Sequence, residues 1–298
     1  MFCDPLARPH LPSSIILAVG SCSEDSSIND IEAYDIGAKR WVKILNVSEV
    51  PRVYHGVTFV DGSVYCVGGC NGTEQFNTVQ RFDLTTHTWQ ELAPMHSYRC
   101  YVSVTAMDGY IYAMGGFDGY SRLNSVERYQ PSTNQWTLIA SMHQQRSDAS
   151  CTTLHHKVGG SSAHIGNGIG TDRFSICLSS VESYNPRADQ WTLIRSMGSR
   201  RSGLGAIAFA GRIFTVSTIS VCKKDPHTNT WLDMPPMLKS RSNFGISVID
   251  DCLFVVGGYN DFINISNVEY YNVKLGVWSV ALSTPVILLH GDTFKTSI

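Results

Sequence analysis

Five arginines stand at matching places along the sequence, and their side chains carry the clearest chemistry. They are Arg52, Arg99, Arg146, Arg201 and Arg241, and each precedes a run of β-forming residues. A guanidinium group offers a planar fork of hydrogen-bond donors that suits carboxylates and phosphates. One hypothesis is therefore a ring of arginines that binds an acidic or phosphorylated peptide.

The alternative is that each arginine pairs with a glutamate of its own repeat. Glu127, Glu182 and Glu269 are the candidates. A structural role recurs in every repeat, whereas a binding role needs only some repeats, so the periodicity favours the structural pairing for most of the arginines. The residues two positions after the arginines vary, as a specificity-determining site within a constant frame would. They are Tyr54, Tyr101, Asp148, Gly203 and Asn243.

Ten histidines raise the question of a metal site, because imidazole is a common metal ligand. They recur at no shared position, and the adjacent His155 and His156 would point to opposite faces of a strand. Residues 166–170 lack the spacing of a phosphate-binding turn, and no Gly-x-Ser-x-Gly nucleophile elbow occurs. The sequence predicts no catalytic residue, no metal and no cofactor. An enzyme with a metal or carboxylate site on the axis of the fold is the alternative from a different class.

The composition is that of a globular protein. The 298 residues are 43% hydrophobic and 16% charged, with a net charge of -2, so the chain has material for a core and no global field for nucleic acid or an anionic membrane. Nine scattered cysteines without a Cys-x-x-Cys pair indicate reduced thiols. No apolar stretch approaches the roughly 20 residues of a membrane span. We expect a cytoplasmic protein that binds neither nucleic acid nor membrane.

The elements that must position these residues follow from an internal repeat. Every tryptophan marks it, at positions 41, 89, 136, 191, 231 and 278. Residues 100–107 and 110–114 are β-rich runs joined by Asp108-Gly109, which is a strong hairpin signal, and each repeat reads as four antiparallel strands. Such a unit cannot cover both its faces alone, and radial stacking hides most of its edges. The sequence predicts an all-β fold, a six-bladed propeller of four-stranded antiparallel blades.

Three segments share a motif of the form Val-Glu-x-Tyr, at residues 126–129, 181–184 and 268–271, and each is followed by a tryptophan. With glycine pairs such as Gly115-Gly116, this pattern resembles the kelch motif over residues 15 to about 283. The Phe-Asp-Gly at 117–119 and the recurring Met-x-x-x-Arg link resemble the kelch-like family.

The resemblance implies a kelch propeller that captures a substrate protein. Members of the family join a BTB and a BACK domain to the propeller and serve a cullin-3 ubiquitin ligase. Nothing in the sequence resembles BTB or BACK. The implied partner is a substrate protein or peptide, acidic if the arginines bind it, and cullin-3 would be reached only through a BTB domain that this sequence lacks.

The expected boundaries are a tail over residues 1–14 and a propeller over residues 15–298. The repeats are placed at about 15–51, 52–98, 99–145, 146–200, 201–240 and 241–283, with a closing strand in 284–298. Residues 285–290 are the only candidate for that strand, and their unfavourable spacing predicts imperfect ring closure.

Two repeats depart from the pattern. In the fourth, the glycine pair at 159–160 comes early, which predicts a short second strand and a long loop after it. In the fifth, Ser217-Thr218 replaces the glycine pair and Lys224 replaces the tyrosine, so the loop between the second and third strands is nearly lost. A degenerate, non-functional fragment is therefore a third interpretation.

In family propellers, the loops between second and third strands gather with the loops between blades on one face. Here the former are residues 21–29, 70–77, 117–124 and 259–266. Their aromatic residues are candidate anchors, because rigid aromatic side chains dominate binding hot spots, although packing against their own blade is the alternative. The predicted partner-binding set is Arg52, Tyr54, Arg99, Tyr101, Phe117, Asp118, Tyr120, Arg146, Asp148, Arg201, Arg241, Asn243, Tyr259, Asn260 and Phe262.

Overall fold

The computed structural model describes residues 15–23, 26–35, 40–45, 52–154, 157–161, 164–165, 176–201, 203–218, 220–260, 262–281 and 293–296. The regular elements in these ranges are β-strands, β1 to β26 in chain order. No helix in these ranges is long and apolar enough to cross a membrane. The prediction of an all-β propeller is confirmed by the arrangement of these strands.

Five blades each fold from one continuous segment into a four-stranded antiparallel sheet, and we number them 2 to 6 after the repeat that forms them. Blade 2 contains β4 (Gly56–Val60), β5 (Ser63–Val67), β6 (Val79–Asp83) and β7 (Thr88–Leu92). Blade 3 contains β8 (Ser103–Met107), β9 (Tyr110–Met114), β10 (Val126–Gln130) and β11 (Gln135–Ile139). Blade 4 contains β12 (Ser150–Leu154), β13 (Lys157–Ser161), β16 (Val181–Asn185) and β17 (Gln190–Ile194).

Blades 5 and 6 follow the same plan. Blade 5 contains β18 (Gly205–Phe209), β19 (Arg212–Ser217), β20 (Ser220–Asp225) and β21 (Thr230–Met234). Blade 6 contains β22 (Gly245–Ile249), β23 (Cys252–Val256), β24 (Val268–Asn272) and β25 (Val277–Val280). A small ribbon of β14 (His164–Ile165) and β15 (Ile176–Cys177) branches from blade 4.

The sheet around Trp41 is composite, and we call it the terminal sheet. It contains β1 (Ile15–Ser23), β2 (Ser26–Asp35), β3 (Arg40–Leu45) and β26 (Thr293–Thr296), with β26 antiparallel to the start of β1. The prediction of six blades is corrected: the structure has five continuous blades, and the first repeat forms this composite sheet because its innermost strand is β26 from the other end of the chain. The predicted closing segment, residues 285–290, lies outside the described residues.

The innermost strands form a continuous ring around the axis. Contacts run from β4 to β8, β12, β18, β22 and β26 and back to β4, so the prediction of imperfect ring closure was wrong, because β26 supplies the missing inner strand. Each of these strands is the first of its blade, except β26, which completes the terminal sheet. The ring places the loops before the first strands around one mouth of an axial channel.

The wedge between blades is filled by the aromatic residues of the third and fourth strands. The rings of Tyr129 and Trp136 pack with centroids 5.1 Å apart and a tilt of 40°, and the Trp136 indole N–H donates to the Ala93 carbonyl, which precedes blade 3, at 2.9 Å. Equivalent bonds join Trp191 to Ala140, Trp231 to Arg195 and Trp278 to Pro235. Burying one large apolar side chain contributes about 1.5–3 kcal/mol. The indoles of blades 3 to 6 therefore hold each of these blades to the one before it, whereas the buried indole nitrogens of Trp41 and Trp89 have no hydrogen-bond partner among the described residues.

Strand pairing corrects two details of the predicted repeats and confirms a third. Gly159 and Gly160 lie inside β13, opposite Thr152 and Cys151, because pairing with β16 sets the register, so the second strand of blade 4 is not shortened. The predicted loop at residues 21–29 is largely strand, because backbone pairing of β1 with β2 continues past a bulge after Val19. The predicted loss of the loop in blade 5 is confirmed, since β19 ends at Ser217 and β20 begins at Ser220.

Candidate functional site

The recurring arginines lie in the blade interiors. Arg99 is fully buried and donates to the Glu127 carboxylate at 3.0 Å and to the Gly115 carbonyl at 2.7 Å. Arg146 pairs with Glu182 at 2.8 Å, and Arg241 pairs with Glu269. These pairs match the structural alternative of the sequence analysis. The guanidinium groups of Arg99, Arg146 and Arg241 thus bind the chain itself rather than facing the channel mouth.

Two blades lack the glutamate and hold their arginine differently. Arg201 donates to the Cys222 sulfur at 2.7 Å and to the Ser220 carbonyl at 3.1 Å. Arg52 donates to the Gly68 carbonyl at 2.9 Å. Both arginines are buried as well, so the structure does not support a ring of exposed arginines.

The pKa values of Glu127 and Glu182 are lowered although both carboxylates are buried. Burial on its own would raise the pKa of Glu127, but the backbone N–H of His96 and the Arg99 guanidinium hold the pKa below its ordinary value. The pKa of Glu182 is lowered in the same way against burial, by the His143 backbone N–H and by Arg146. Each carboxylate also fixes the loop that precedes the first strand of its own blade, because it accepts from the backbone of that loop.

The residues two positions after the arginines form the rim of the channel. All five have a left-handed backbone, with φ between 52° and 57°: Tyr54, Tyr101, Asp148, Gly203 and Asn243. Backbone hydrogen bonds connect them from blade to blade, from Tyr101 N to Tyr54 O at 2.8 Å, from Asp148 N to Tyr101 O at 3.0 Å and from Asn243 N to Gly203 O at 3.0 Å. The backbone is thus constant around the rim while the side chains differ.

These residues line a cavity of about 60 Å³ at the channel mouth. The rings of Tyr54 and Tyr101 stack with centroids 4.3 Å apart. Burial raises the pKa of Asp148 to about 7, and a hydrogen bond from the Gly203 backbone N–H only partly offsets it. A second cavity of about 180 Å³ continues along the channel between the innermost strands. The mouth therefore combines an aromatic pair, a carboxyl group and an amide.

His55 is the residue of this mouth that sequence reasoning missed. The side chain is 5% exposed and lines the same cavity. Neither ring nitrogen makes a hydrogen bond of good geometry, although the ring has a weak polar contact with the Arg52 backbone. Burial, with the nearby charge of Arg52, lowers the pKa of His55 to about 3, so the ring is neutral. The sequence signal that could have identified His55 is its position directly after Tyr54, one of the variable residues that follow the arginines.

The loops after the second strands of blades 2, 3 and 6 share one turn. Asp118 Oδ1 accepts from the backbone N–H of Tyr120 at 2.8 Å and of Ser121 at 2.7 Å. Asn71 and Asn260 make the same turn in their own loops. Asp118 and Asn260, both in the predicted binding set, therefore shape the loop with their Oδ1 atoms.

This turn presents the residue two positions later at the tip of the loop. Tyr120 is 95% exposed and Phe262 is 88% exposed. Phe117 and Tyr259 are only partly exposed, because each pairs through its backbone with the loop before a first strand, at Cys100 and Ser242. In the ring of innermost strands, β8 and β22 are three places apart, so the two exposed tips stand on opposite sides of the mouth.

No group of three or more His, Cys, Asp or Glu side chains that could hold a metal ion occurs in the described part of the chain. The described features are those of a β-propeller with a constant backbone rim, variable rim residues and exposed aromatic loop tips.

Comparison with known proteins identifies the family. The family model described as the KLHDC2/KLHL20/DRC7 Kelch-repeats domain matches residues 10–217, and the Kelch motif matches residues 240–281. The chain belongs to the kelch-repeat family, as a propeller of the kelch-like kind.

Relatives with known names share parts of the sequence. Kelch-like protein 23 of Homo sapiens is 26% identical over 265 residues, which cover 87% of this chain and 46% of that protein. Kelch-like protein 7 of Rattus norvegicus is 39% identical over 61 residues, which cover 20% of this chain and 10% of that protein. The chain thus spans at most about half the length of these relatives. The solved structure titled "Structure of YjhT" superposes with a TM-score of 0.72 at 16% identity, over 83% of this chain and 88% of that chain, which shows a shared fold.

Proposed function

We propose that this protein is a non-enzymatic protein-interaction module that captures a partner protein on the face around the channel mouth. The single observation that carries the proposal is the pair of exposed aromatic tips, Tyr120 and Phe262, on loops held by side-chain to backbone turns. Exposed aromatic side chains on a rigid frame give contact area at low entropic cost, which is typical of binding hot spots.

The kelch-like resemblance supports a finer version of the proposal. The propeller would act as the substrate-recognition part of a cullin-3 ubiquitin ligase adaptor in the cytoplasm. Cullin-3 would be reached through a BTB domain, which these residues do not contain. The partner is a protein or peptide, and the mouth residues provide its specificity.

The test is affinity capture from a cytosolic extract with three tagged forms of the chain, quantified by mass spectrometry. The Tyr120→Ala, Phe262→Ala double variant should lose specific partners. Leu275→Ala is the matched control, because Leu275 is 73% exposed in the turn between β24 and β25, away from the loops after the second strands. Partners retained by the wild type and the control but lost by the double variant support the proposal. Equal retention by all three forms contradicts it.

A further inference from the structure

Three acceptor-bearing side chains converge on the channel mouth. Asp148, Asn243 and His55 line one cavity, and the buried Asn243 Oδ1 has no hydrogen-bond partner. His55 is almost fully buried and lacks a hydrogen bond of good geometry at either ring nitrogen. A buried acceptor without a partner costs free energy, which a ligand that donates hydrogen bonds would recover.

An aromatic pair lies beside these acceptors. Tyr54 and Tyr101 belong to the lining of the same cavity and stack at 4.3 Å. The face of an aromatic ring attracts a cation within about 6 Å. The mouth thus offers both a π surface and oxygen acceptors to a positively charged group.

The local charge favours a cation as well. Among the described residues that line the cavity, none is a lysine or an arginine. The recurring arginines are buried in the blades, and Arg52, the one next to the mouth, donates to the Gly68 and Thr78 carbonyls. His55 is neutral, because its pKa is lowered to about 3. No cation in the lining therefore opposes a positive ligand near Asp148.

We propose that the channel mouth binds a lysine or arginine side chain of the partner protein, between the Tyr54–Tyr101 pair and the Asp148 carboxylate. This inference rests on the proposed function, and it names the partner chemistry as basic where the sequence alone suggested acidic. Asn243 Oδ1 and His55 provide further acceptors for the N–H groups of the cation. A bound cation also keeps Asp148 ionised.

The experiment selects random heptapeptides displayed on phage against the full chain and measures the affinity of the enriched peptides by fluorescence anisotropy. We expect a lysine or arginine at a fixed position of the enriched peptides. Replacing that residue by citrulline, or by norleucine if it is lysine, should weaken binding at least tenfold. This arm needs no protein variant, so it is independent of any folding defect.

The protein side of the test uses two variants with the same charge change. Asp148→Asn should weaken binding of the basic peptide at least tenfold and should not weaken the citrulline or norleucine peptide further. Asp61→Asn is the control, because Asp61 is exposed in the turn between β4 and β5, at the opposite end of β4 from Tyr54, and asparagine tolerates its left-handed backbone. It should change affinity by less than twofold.

The outcomes separate the two proposals. Enriched peptides without a basic residue, still dependent on Tyr120 and Phe262, would overturn this inference and leave the protein-binding function standing. Equal losses in Asp148→Asn and Asp61→Asn would overturn it as well. Failure to enrich any peptide, together with equal capture by all forms in the affinity experiment, would overturn both.

Discussion

Lys224 donates a hydrogen bond of 2.6 Å to Asn229 Oδ1, in the place where Tyr129 donates its hydroxyl to Asn134 Oδ1 at 2.8 Å in blade 3. The ammonium group also lies 5.3 Å from the centroid of Trp231, which pairs with Lys224 across the strands as Trp136 pairs with Tyr129. Blade 5 thus keeps the polar contact of its repeat with a different side chain. The departure found in the sequence is compensated in the structure.

Lys224→Tyr should stabilise the protein by about 1 kcal/mol, because it replaces a buried ammonium by a hydroxyl with the same partner. Burial, followed by the charge of Arg195, lowers the pKa of Lys224. The folded state therefore binds fewer protons than the unfolded state between the lowered pKa and the ordinary value of about 10.4, and stability should rise with pH across that window. Urea unfolding at several pH values measures both effects. Lys223→Tyr, on the partly exposed face of the same strand, is the control, and a lower stability of Lys224→Tyr would contradict the argument.

Arg99→Ala should lower the free energy of unfolding by about 3–5 kcal/mol, because it leaves the buried Glu127 carboxylate without its guanidinium partner. Arg187→Ala, at an exposed turn of blade 4, should stay within about 0.5 kcal/mol of the wild type. Thermal and urea unfolding measure the difference. If Arg99→Ala instead left unfolding unchanged and abolished partner capture, Arg99 would belong to the binding surface.

Acid should destabilise the protein through the paired glutamates. The pKa values of Glu127 and Glu182 are lower in the folded state than their ordinary values, so the unfolded state binds more protons. Their stabilisation is complete above about pH 4.3 and is lost as pH falls through the folded-state pKa values. Unfolding free energies measured from pH 7 to pH 3 should show this decline. The Glu127→Gln, Glu182→Gln double variant should be less stable at pH 7 with a shallower acid slope, and an unchanged slope would refute the assignment.

Gly115→Ala should destabilise the protein more than Gly109→Ala. Both glycines have positive φ, at 62° and 77°, so both variants bear a similar backbone strain of about 1–2 kcal/mol. A Cβ at residue 115 would lie 2.3 Å from the Arg146 carbonyl oxygen, whereas nothing lies within 4 Å of one at residue 109. The difference in unfolding free energy therefore isolates the close approach between blades 3 and 4, at about 1–3 kcal/mol. Equal losses would show that the loop moves to make room.

Much of the fold could be predicted because the same residue pattern recurs in each repeat. The tyrosine and tryptophan rings, the hairpin at Asp108-Gly109 and the pairing of Arg99 with Glu127 all follow from local spacing. The register of Gly159 and Gly160 in blade 4 could not be predicted, because the pairing of β13 with the later strand β16 decides that register. The position of β26 could not be predicted either. The strand has four residues and its partner β1 is distant in the sequence, so no local sequence pattern indicates the pairing.

The place of the rim residues in the fold could be predicted from the repeat, whereas their role in binding stays a prediction. The residues two positions after the arginines do form the mouth, as their variation within a constant frame suggested. Backbone hydrogen bonds between separate repeats, such as the one from Asp148 N to Tyr101 O, determine which side chains face the cavity. No local sequence pattern encodes these hydrogen bonds. Because the recurring arginines are buried in the blades, the described lining of the mouth contains no lysine or arginine.

The pairing of β26 with β1 sets the order in which this ring can be completed during translation. β1 is synthesised before the other described strands, while its partner at residues 293–296 is synthesised after them. Until then the terminal sheet has three strands and an unpaired edge, which is a template for aggregation. Nascent chains should therefore depend on chaperones during translation far more than the completed ring does afterwards.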